Sequence, residues 1–121
     1  MKVYPIIPCP KPRMTRRDKW LDPPRPGVAQ YRAFCDEVRL RRLTLPDSGY
    51  HVTFVIPMPR SWPKKKKALM DGQPHQQVPD KDNLEKALLD AIFGRDEHVW
   101  DGRVTKVWGV EGQIIVKEES L

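Results

Sequence analysis

A short acidic segment carries the residue types that phosphodiester chemistry requires. Asp80 and Asp82 are separated by one residue, Lys86 follows four residues after Asp82, and Asp101 lies fifteen residues beyond that lysine. Carboxylates near one point repel each other, and their oxygens are the ligands that Mg²⁺ prefers. A cation held there would activate a water and polarise a phosphate, and the ammonium of Lys86 would neutralise developing charge. We therefore predict Asp80, Asp82 and Asp101 as metal ligands and, together with Lys86, as catalytic residues.

The same residues also have purely structural interpretations. Asp82 and Glu85 have the spacing of a capping box at the start of a helix, and Asp80 is suited to a turn. The functional interpretation rests on the expected placement of these residues close together. An extended Asp80-Lys81-Asp82 run would place both carboxylates on one side of the backbone and Lys81 on the other. Lys86 would then lie one helical turn beyond Asp82 on the same helix face.

Charge is distributed unevenly along the chain. Residues 1–72 hold 16 lysines and arginines against 6 acidic residues, whereas residues 73–121 hold 6 against 10, within a net charge of +6. This division indicates a phosphate-binding surface in the first part and a metal centre in the second. A solvated basic face without a partner is the alternative.

The basic surface has three parts. Seven of the thirteen prolines lie within the first 26 residues, which predicts an extended, proline-rich basic loop over residues 8–27. The other parts are an amphipathic helix with arginines on its exposed side and a run of four lysines. The predicted DNA-binding residues are Lys11, Arg13, Arg16, Arg17, Lys19, Arg32, Lys64, Lys65, Lys66, Lys67 and Lys81.

The pattern of apolar residues predicts a single α+β domain over residues 1–121, with helices packed on a small mixed or antiparallel sheet. The strongest helix has Leu84, Ala87, Leu88, Ala91 and Ile92 on one face. The last two strands are expected to form a tight hairpin through Glu111-Gly112. The predicted order is strand 3–7, helix 28–43, strand 50–58, a short helix around 64–70, helix 82–93, and strands 104–110 and 113–118.

Several classes of protein are not supported. Cys9 and Cys35 have neither a paired spacing nor the density of a disulfide scaffold, and Cys35 is expected to pack as a small apolar residue. The three histidines match no zinc-ligand pattern. No apolar run is long enough to span a bilayer, and the N-terminus does not resemble a signal peptide. We therefore expect a cytoplasmic protein that does not associate with membranes.

The segment Pro79-Asp80-Lys81-Asp82-Asn83-Leu84-Glu85-Lys86-Ala87-Leu88-Leu89-Asp90-Ala91-Ile92 resembles the signature of the RusA family of Holliday junction resolvases, small enzymes carried by phages and prophages. The matching positions are Asp80, Asp82, Asn83, Lys86, Asp90, Asp101 and Val104. This chain departs from the family pattern in having Lys81 between the two aspartates and Trp100 in place of an acidic residue before Asp101.

The resemblance implies a homodimeric, Mg²⁺-dependent endonuclease of DNA recombination and repair that makes paired, symmetric nicks across a four-way junction. Mn²⁺ is expected to substitute for Mg²⁺, and a bacterial host's cytoplasm is the expected location. It assigns Asp80, Asp82 and Asp101 to the metal and a catalytic role to Lys86. A symmetric dimer suits a junction that itself has approximate two-fold symmetry.

The sequence leaves two alternatives open. One is a basic DNA-binding accessory protein in which the acidic residues have only structural roles. The other is a metal-dependent nuclease that acts on a different branched or single-stranded DNA, because Trp20, Trp62, Trp100 and Trp108 could stack on unpaired bases.

Overall fold

Strand β2, Tyr50–Pro57, is the centre of a four-stranded mixed sheet. The computed structural model describes residues 1–118, and the sheet order is β1-β4-β2-β3. Strand β4, Gln113–Glu118, is antiparallel to both β1, Lys2–Tyr4, and β2. Strand β3, Gly102–Gly109, is parallel to β2. The mixed sheet and its helices confirm the predicted α+β class.

The predicted tight hairpin between the last two strands is wrong. Strand β2 lies between β3 and β4, so that Tyr50 is opposite Gly102 on one side and Glu118 on the other. A turn signal shows that the chain reverses, but not whether another strand lies between its two arms. The central position of β2 is favourable because it buries the apolar side chains of Val52 and Phe54 almost completely.

Three α-helices and one short 3₁₀ helix complete the fold. The basic loop contains the 3₁₀ helix Arg16–Lys19, and its last two residues begin α1, Pro26–Leu40. Helix α2 spans Lys64–Met70 and buries no residue. Helix α3 spans Lys81–Ile92, close to its predicted bounds. No helix within residues 1–118 combines the length and apolarity needed to cross a membrane.

Helices α1 and α3 pack on one face of the sheet. The core contains the alternating residues of β2 together with Phe34 and Val38 of α1 and Leu84 and Leu88 of α3. Cys35 is buried in this core, as predicted. Burial of one leucine side chain contributes about 1.5–3 kcal/mol, so the apolar stripe of α3 fixes the helix firmly on the sheet.

The segment from Asp71 to Asp80 connects α2 to α3 and runs alongside β3 in the opposite direction. The Gly72 amide donates to the Trp108 carbonyl (2.8 Å), and the His75 amide donates to the Lys106 carbonyl (3.0 Å). We call residues 71–80 the connecting segment. It places the end of α2 beside the end of β3, and the start of α3 towards the beginning of β3.

Candidate active site

The two aspartates of the motif lie at the start of α3. Asp80 is the N-cap residue with an extended backbone, and its side chain makes no capping hydrogen bond. The helix begins at Lys81, so the predicted extended Asp80-Lys81-Asp82 run and the capping role of Asp82 are both wrong. Asp82 lies in the first turn, and both carboxylates are exposed. Lys86 lies one turn after Asp82 on the same helix face, as predicted.

Asp101 immediately precedes β3, and its backbone is held by the turn that leads into β2. The Gly49 amide donates to the Asp101 carbonyl (3.1 Å), and the Trp100 amide donates to the Asp47 carbonyl (3.3 Å). Gly49 has φ of 74°, a conformation that favours glycine. The turn therefore fixes the backbone of Asp101 while its side chain stays exposed.

Tyr50 connects the two parts of the site. Its hydroxyl donates to Oε2 of Glu85 on α3 (2.7 Å), and its ring lies directly over Gly102, the residue after Asp101. A Cβ at position 102 would lie 2.2 Å from Cζ of Tyr50, so only glycine fits there. Burial, followed by the hydrogen bond and charge of Glu85 and the charge of Asp101, raises the pKa of Tyr50. Tyr50 thus stays protonated and donates at neutral pH.

Glu85 is the site residue whose role the sequence did not reveal. Its spacing from Asp82 suggested only a helix cap, whereas its carboxylate accepts a hydrogen bond from a residue 35 positions earlier. A contact of that separation produces no local pattern. It brings an additional carboxylate towards the Asp101 end of the site.

Lys106 on β3 holds the chain just before Asp80. Its ammonium donates to the carbonyls of Gln77 and Pro79, at 2.7 Å each. Because Pro79 is bonded to Asp80, one lysine side chain joins the start of α3 to the strand that follows Asp101. The aspartates of both elements are therefore carried on a framework of hydrogen bonds.

The predicted metal ligands have the right chemistry for Mg²⁺. Asp80, Asp82 and Asp101 supply only hard oxygen donors, and no thiol or imidazole competes beside them in the motif. Within residues 1–117, no three His, Cys, Asp or Glu side chains converge closely enough to hold an ion. The chemistry of the donor set fits the metal, although the described side chains are not gathered around one point.

Lys86 also borders a polar cleft between α3 and the basic loop. The cleft is lined by Lys11, Pro12, Arg13 and Met14 from the loop and by Asn83 and Lys86 from the helix. Lys86 is exposed, lines the cleft, and lies one turn after Asp82 on α3. The structure brings Arg13 and Lys86, predicted from distant parts of the chain, to one place.

The other predicted DNA-binding residues are distributed over separate surfaces. Lys11 forms an ion pair with Asp90 of α3. Lys81 is exposed beside the two aspartates, and Lys67 is half-buried. The others are exposed and far from the motif in sequence: Arg16, Arg17, Lys19, Arg32, Lys64, Lys65 and Lys66. The end of α2 lies beside Trp108, which is about 23 Å along the chain from Asp101 at about 3.3 Å per residue. The end of α2 is therefore beside the end of β3 that is far from Asp101.

The four tryptophans fall into two groups. Trp108 is buried and packs against Trp62 (ring centroids 4.8 Å apart) and His75 (4.3 Å). Trp20 and Trp100 are 80% and 77% exposed, so neither belongs to the core. Trp100 directly precedes Asp101 and presents an aromatic surface next to the candidate site.

The sequence model of the family described as endodeoxyribonuclease RusA matches residues 4–118, which is almost the whole chain. No curated protein and no solved structure gives a significant match to the chain. The match includes the acidic motif of α3, Asp101 and the basic loop.

Proposed function

Because the chain belongs to the RusA endodeoxyribonuclease family, we propose that it resolves four-way DNA junctions by Mg²⁺-dependent, paired nicks. The observation that carries the proposal is the agreement between the family match and the geometry. The residues of the acidic motif are exposed at the start of α3, and cations from the basic loop lie beside them.

The side chains have distinct parts in the proposed reaction. Asp80, Asp82 and Asp101 would hold the metal, which, when bound, supplies an activated water and neutralises charge on the phosphate. Lys86 would place its ammonium against the phosphate as negative charge develops there. Tyr50 holds Glu85 and covers Gly102, which keeps the two carboxylate-bearing elements in register.

We also infer that the active form is a homodimer. Two cuts that are symmetric across a four-way junction require two active sites related by a two-fold axis. One chain contains one copy of the motif. Light scattering after size-exclusion chromatography, with and without junction DNA, tests this inference through the mass of the particle.

The decisive experiment is cleavage of a labelled synthetic four-way junction in Mg²⁺, in Mn²⁺ and in EDTA. Linear duplex of equal length serves as the substrate control, and Asp82→Asn serves as the protein control. We expect paired nicks at the junction in either metal, no cleavage of the duplex, and no cleavage by the variant. Asp82→Asn should still bind the junction because it removes no positive charge.

Two other outcomes favour the alternatives. Flap and single-stranded substrates belong in the same assay, because Trp20 and Trp100 are exposed aromatic residues that could stack on unpaired bases. Preferential cleavage of those substrates would replace the junction proposal with a different branched or single-stranded target. Binding without cleavage in any divalent metal would indicate an accessory DNA-binding protein.

A further inference from the structure

We propose that the cleft between the basic loop and α3 binds a DNA backbone phosphate next to the cleaved one, with Arg13 as its main contact and Asp90 as a positioning residue. This inference rests on the proposed function and assigns a subsite within it. Arg13, Asn83 and Lys86 provide two cations and an amide, which are suitable donors for a phosphate.

The basic loop is attached to α3 on one side of Arg13. Lys11, two residues earlier, donates to Oδ2 of Asp90, and the side chains of this ion pair are 31% and 25% exposed. Asp90 lies one turn after Lys86 on the same helix. The carboxylate of Asp90 therefore holds the loop over the face of α3 that carries Lys86.

The loop is also fixed on the other side of Arg13. Arg25 donates from Nη2 to the Arg13 carbonyl (3.0 Å) and to Oδ2 of Asp18 (2.7 Å), and from Nε to Oδ1 of Asp18 (2.6 Å). Asp18 is 3% exposed and also accepts from the Thr15 amide (2.7 Å). The backbone of Arg13 is thus held from two directions while its side chain is exposed at the cleft.

The ion pairs separate positioning cations from cations that are available to DNA. Lys11 and Arg25 are both engaged by aspartates. Within residues 1–117, neither Arg13 nor Lys86 has a carboxylate within ion-pair distance, so these two charges remain for a ligand. The predicted contact of Lys11 with DNA stays a prediction, and we assign Lys11 the further role of positioning Arg13 through its ion pair with Asp90.

The cleft adjoins the acidic motif through Lys86. Lys86 lies one turn after Asp82 and also lines the cleft together with Asn83. A phosphate bound between Arg13 and Asn83 would therefore be close to the one held by the metal-binding carboxylates. Successive phosphates of one DNA strand provide that arrangement.

The first test compares Arg13→Gln with Arg60→Gln, which removes one exposed arginine charge outside the predicted DNA-binding residues. Affinity for a four-way junction is measured against salt concentration in the non-cleaving Asp82→Asn protein. We expect Arg13→Gln to weaken binding roughly tenfold and to reduce the salt slope by about one. Arg60→Gln should have a much smaller effect on affinity. Equal losses in the two variants would overturn the phosphate subsite.

A neutral methylphosphonate, placed at one linkage at a time around the cleavage position, locates the contact. If the substituted linkage is the one that Arg13 contacts, the protein with Arg13 should bind the substituted DNA less tightly than unmodified DNA. The Arg13→Gln protein, which has already lost the contact, should bind both DNAs equally tightly. If the substituted DNA loses the same affinity for both proteins at every linkage, no phosphate occupies the cleft.

The second test uses the sign of an effect. Asp90→Asn removes a negative charge, and simple electrostatics therefore predicts tighter DNA binding. We expect weaker binding, because the loop and Arg13 are released. Asp36→Asn removes the same charge from an exposed pair on α1, whose side chains are 3.8 Å apart, and should leave binding unchanged or slightly tighter. Equal behaviour of the two variants would exclude a positioning role for Asp90.

These tests are independent of whether the protein cleaves junctions. Affinity is measured in the Asp82→Asn protein, so an absence of nuclease activity would refute the proposed function and leave the cleft measurable with duplex DNA. If Asp90→Asn unfolds, as thermal denaturation would show, Arg13→Gln still decides the proposal because Arg13 is exposed. If the protein cleaves junctions as proposed but Arg13→Gln does not change its affinity for DNA, the phosphate subsite is refuted and the proposed function stands.

Discussion

The two faces of α3 differ in what their residues contact. One face consists of Leu84, Ala87, Leu88 and Ala91, which are 0–3% exposed in the core under the sheet. The other carries Asp82, Asn83, Lys86 and Asp90, whose contacts are with the basic loop or with solvent. One twelve-residue helix therefore provides both stability and the proposed chemistry. Substitutions on the two faces should separate these properties.

The largest effect on stability is expected from Leu88→Ala on the buried face. Leu88 is completely buried, and its truncation should lower the free energy of unfolding by about 2–5 kcal/mol. Leu69→Ala on α2, where the side chain is 69% exposed, should change it by less than about 0.5 kcal/mol. Urea denaturation measures both. Cleavage per folded molecule should remain normal in each variant, and its loss in Leu88→Ala would mean that the two faces are not separable.

Lys86→Met on the exposed face is expected to impair cleavage and to leave stability nearly unchanged. Loss of the ammonium beside the phosphate should reduce the cleavage rate by about 10²–10³-fold, equivalent to about 2.7–4 kcal/mol. Stability should change by less than about 0.5 kcal/mol because Lys86 is exposed. Single-turnover cleavage and urea denaturation measure the two effects, with Lys2→Met on the exposed part of β1 as the control. Cleavage within a few-fold of the unmodified protein would remove Lys86 from the catalytic residues.

The sequence predicted the buried face of α3 more completely than the exposed one. The apolar spacing identified the helix because burial on a sheet requires an apolar stripe with a helical period. The polar motif was found because its residues are close in sequence. The Tyr50–Glu85 and Lys11–Asp90 contacts join residues 35 and 79 positions apart, and their partners could be found only from the folded chain.

The error in the sheet has a related cause. The pattern of β3 and β4 predicted two strands joined by a turn, and both strands exist. The predicted pairing of β3 with β4 was wrong because β2, from much earlier in the chain, lies between them. Local sequence specifies where a strand forms, but the competition among strands for a central position depends on the whole core.

Tyr50→Phe should give an intermediate effect, because Tyr50 is buried but hydrogen-bonded to the half-buried Glu85 of α3. We expect a loss of about 1–2 kcal/mol in unfolding free energy, since the carboxylate loses its donor. Cleavage should fall less than in Lys86→Met. Adding Glu85→Gln should cause little further loss of stability, because the two residues share one interaction. Additive losses from the two changes would mean that the hydrogen bond is not their common contribution.

The smallest effect is expected from the titration of His75, a buried polar residue on the connecting segment that leads to α3. Burial, followed by the charge of Lys106, lowers the pKa of His75 from its ordinary value near 6.5. The unfolded chain therefore binds a proton below about pH 6.5 that the folded chain excludes, so stability should fall as the pH decreases through this range. We expect a decrease of no more than a few degrees in Tm between pH 7.5 and pH 5.5.

His75→Phe tests the origin of that decrease. Phenylalanine retains an aromatic ring against Trp108 and removes both the titration and Nδ1, which is buried without a hydrogen-bond partner within the described residues. The variant should show a smaller decrease in Tm over the same pH range, measured by circular dichroism. An unchanged decrease would assign the pH dependence to another group. A reduced one would show that a buried polar residue, outside both faces of α3, affects stability through its protonation.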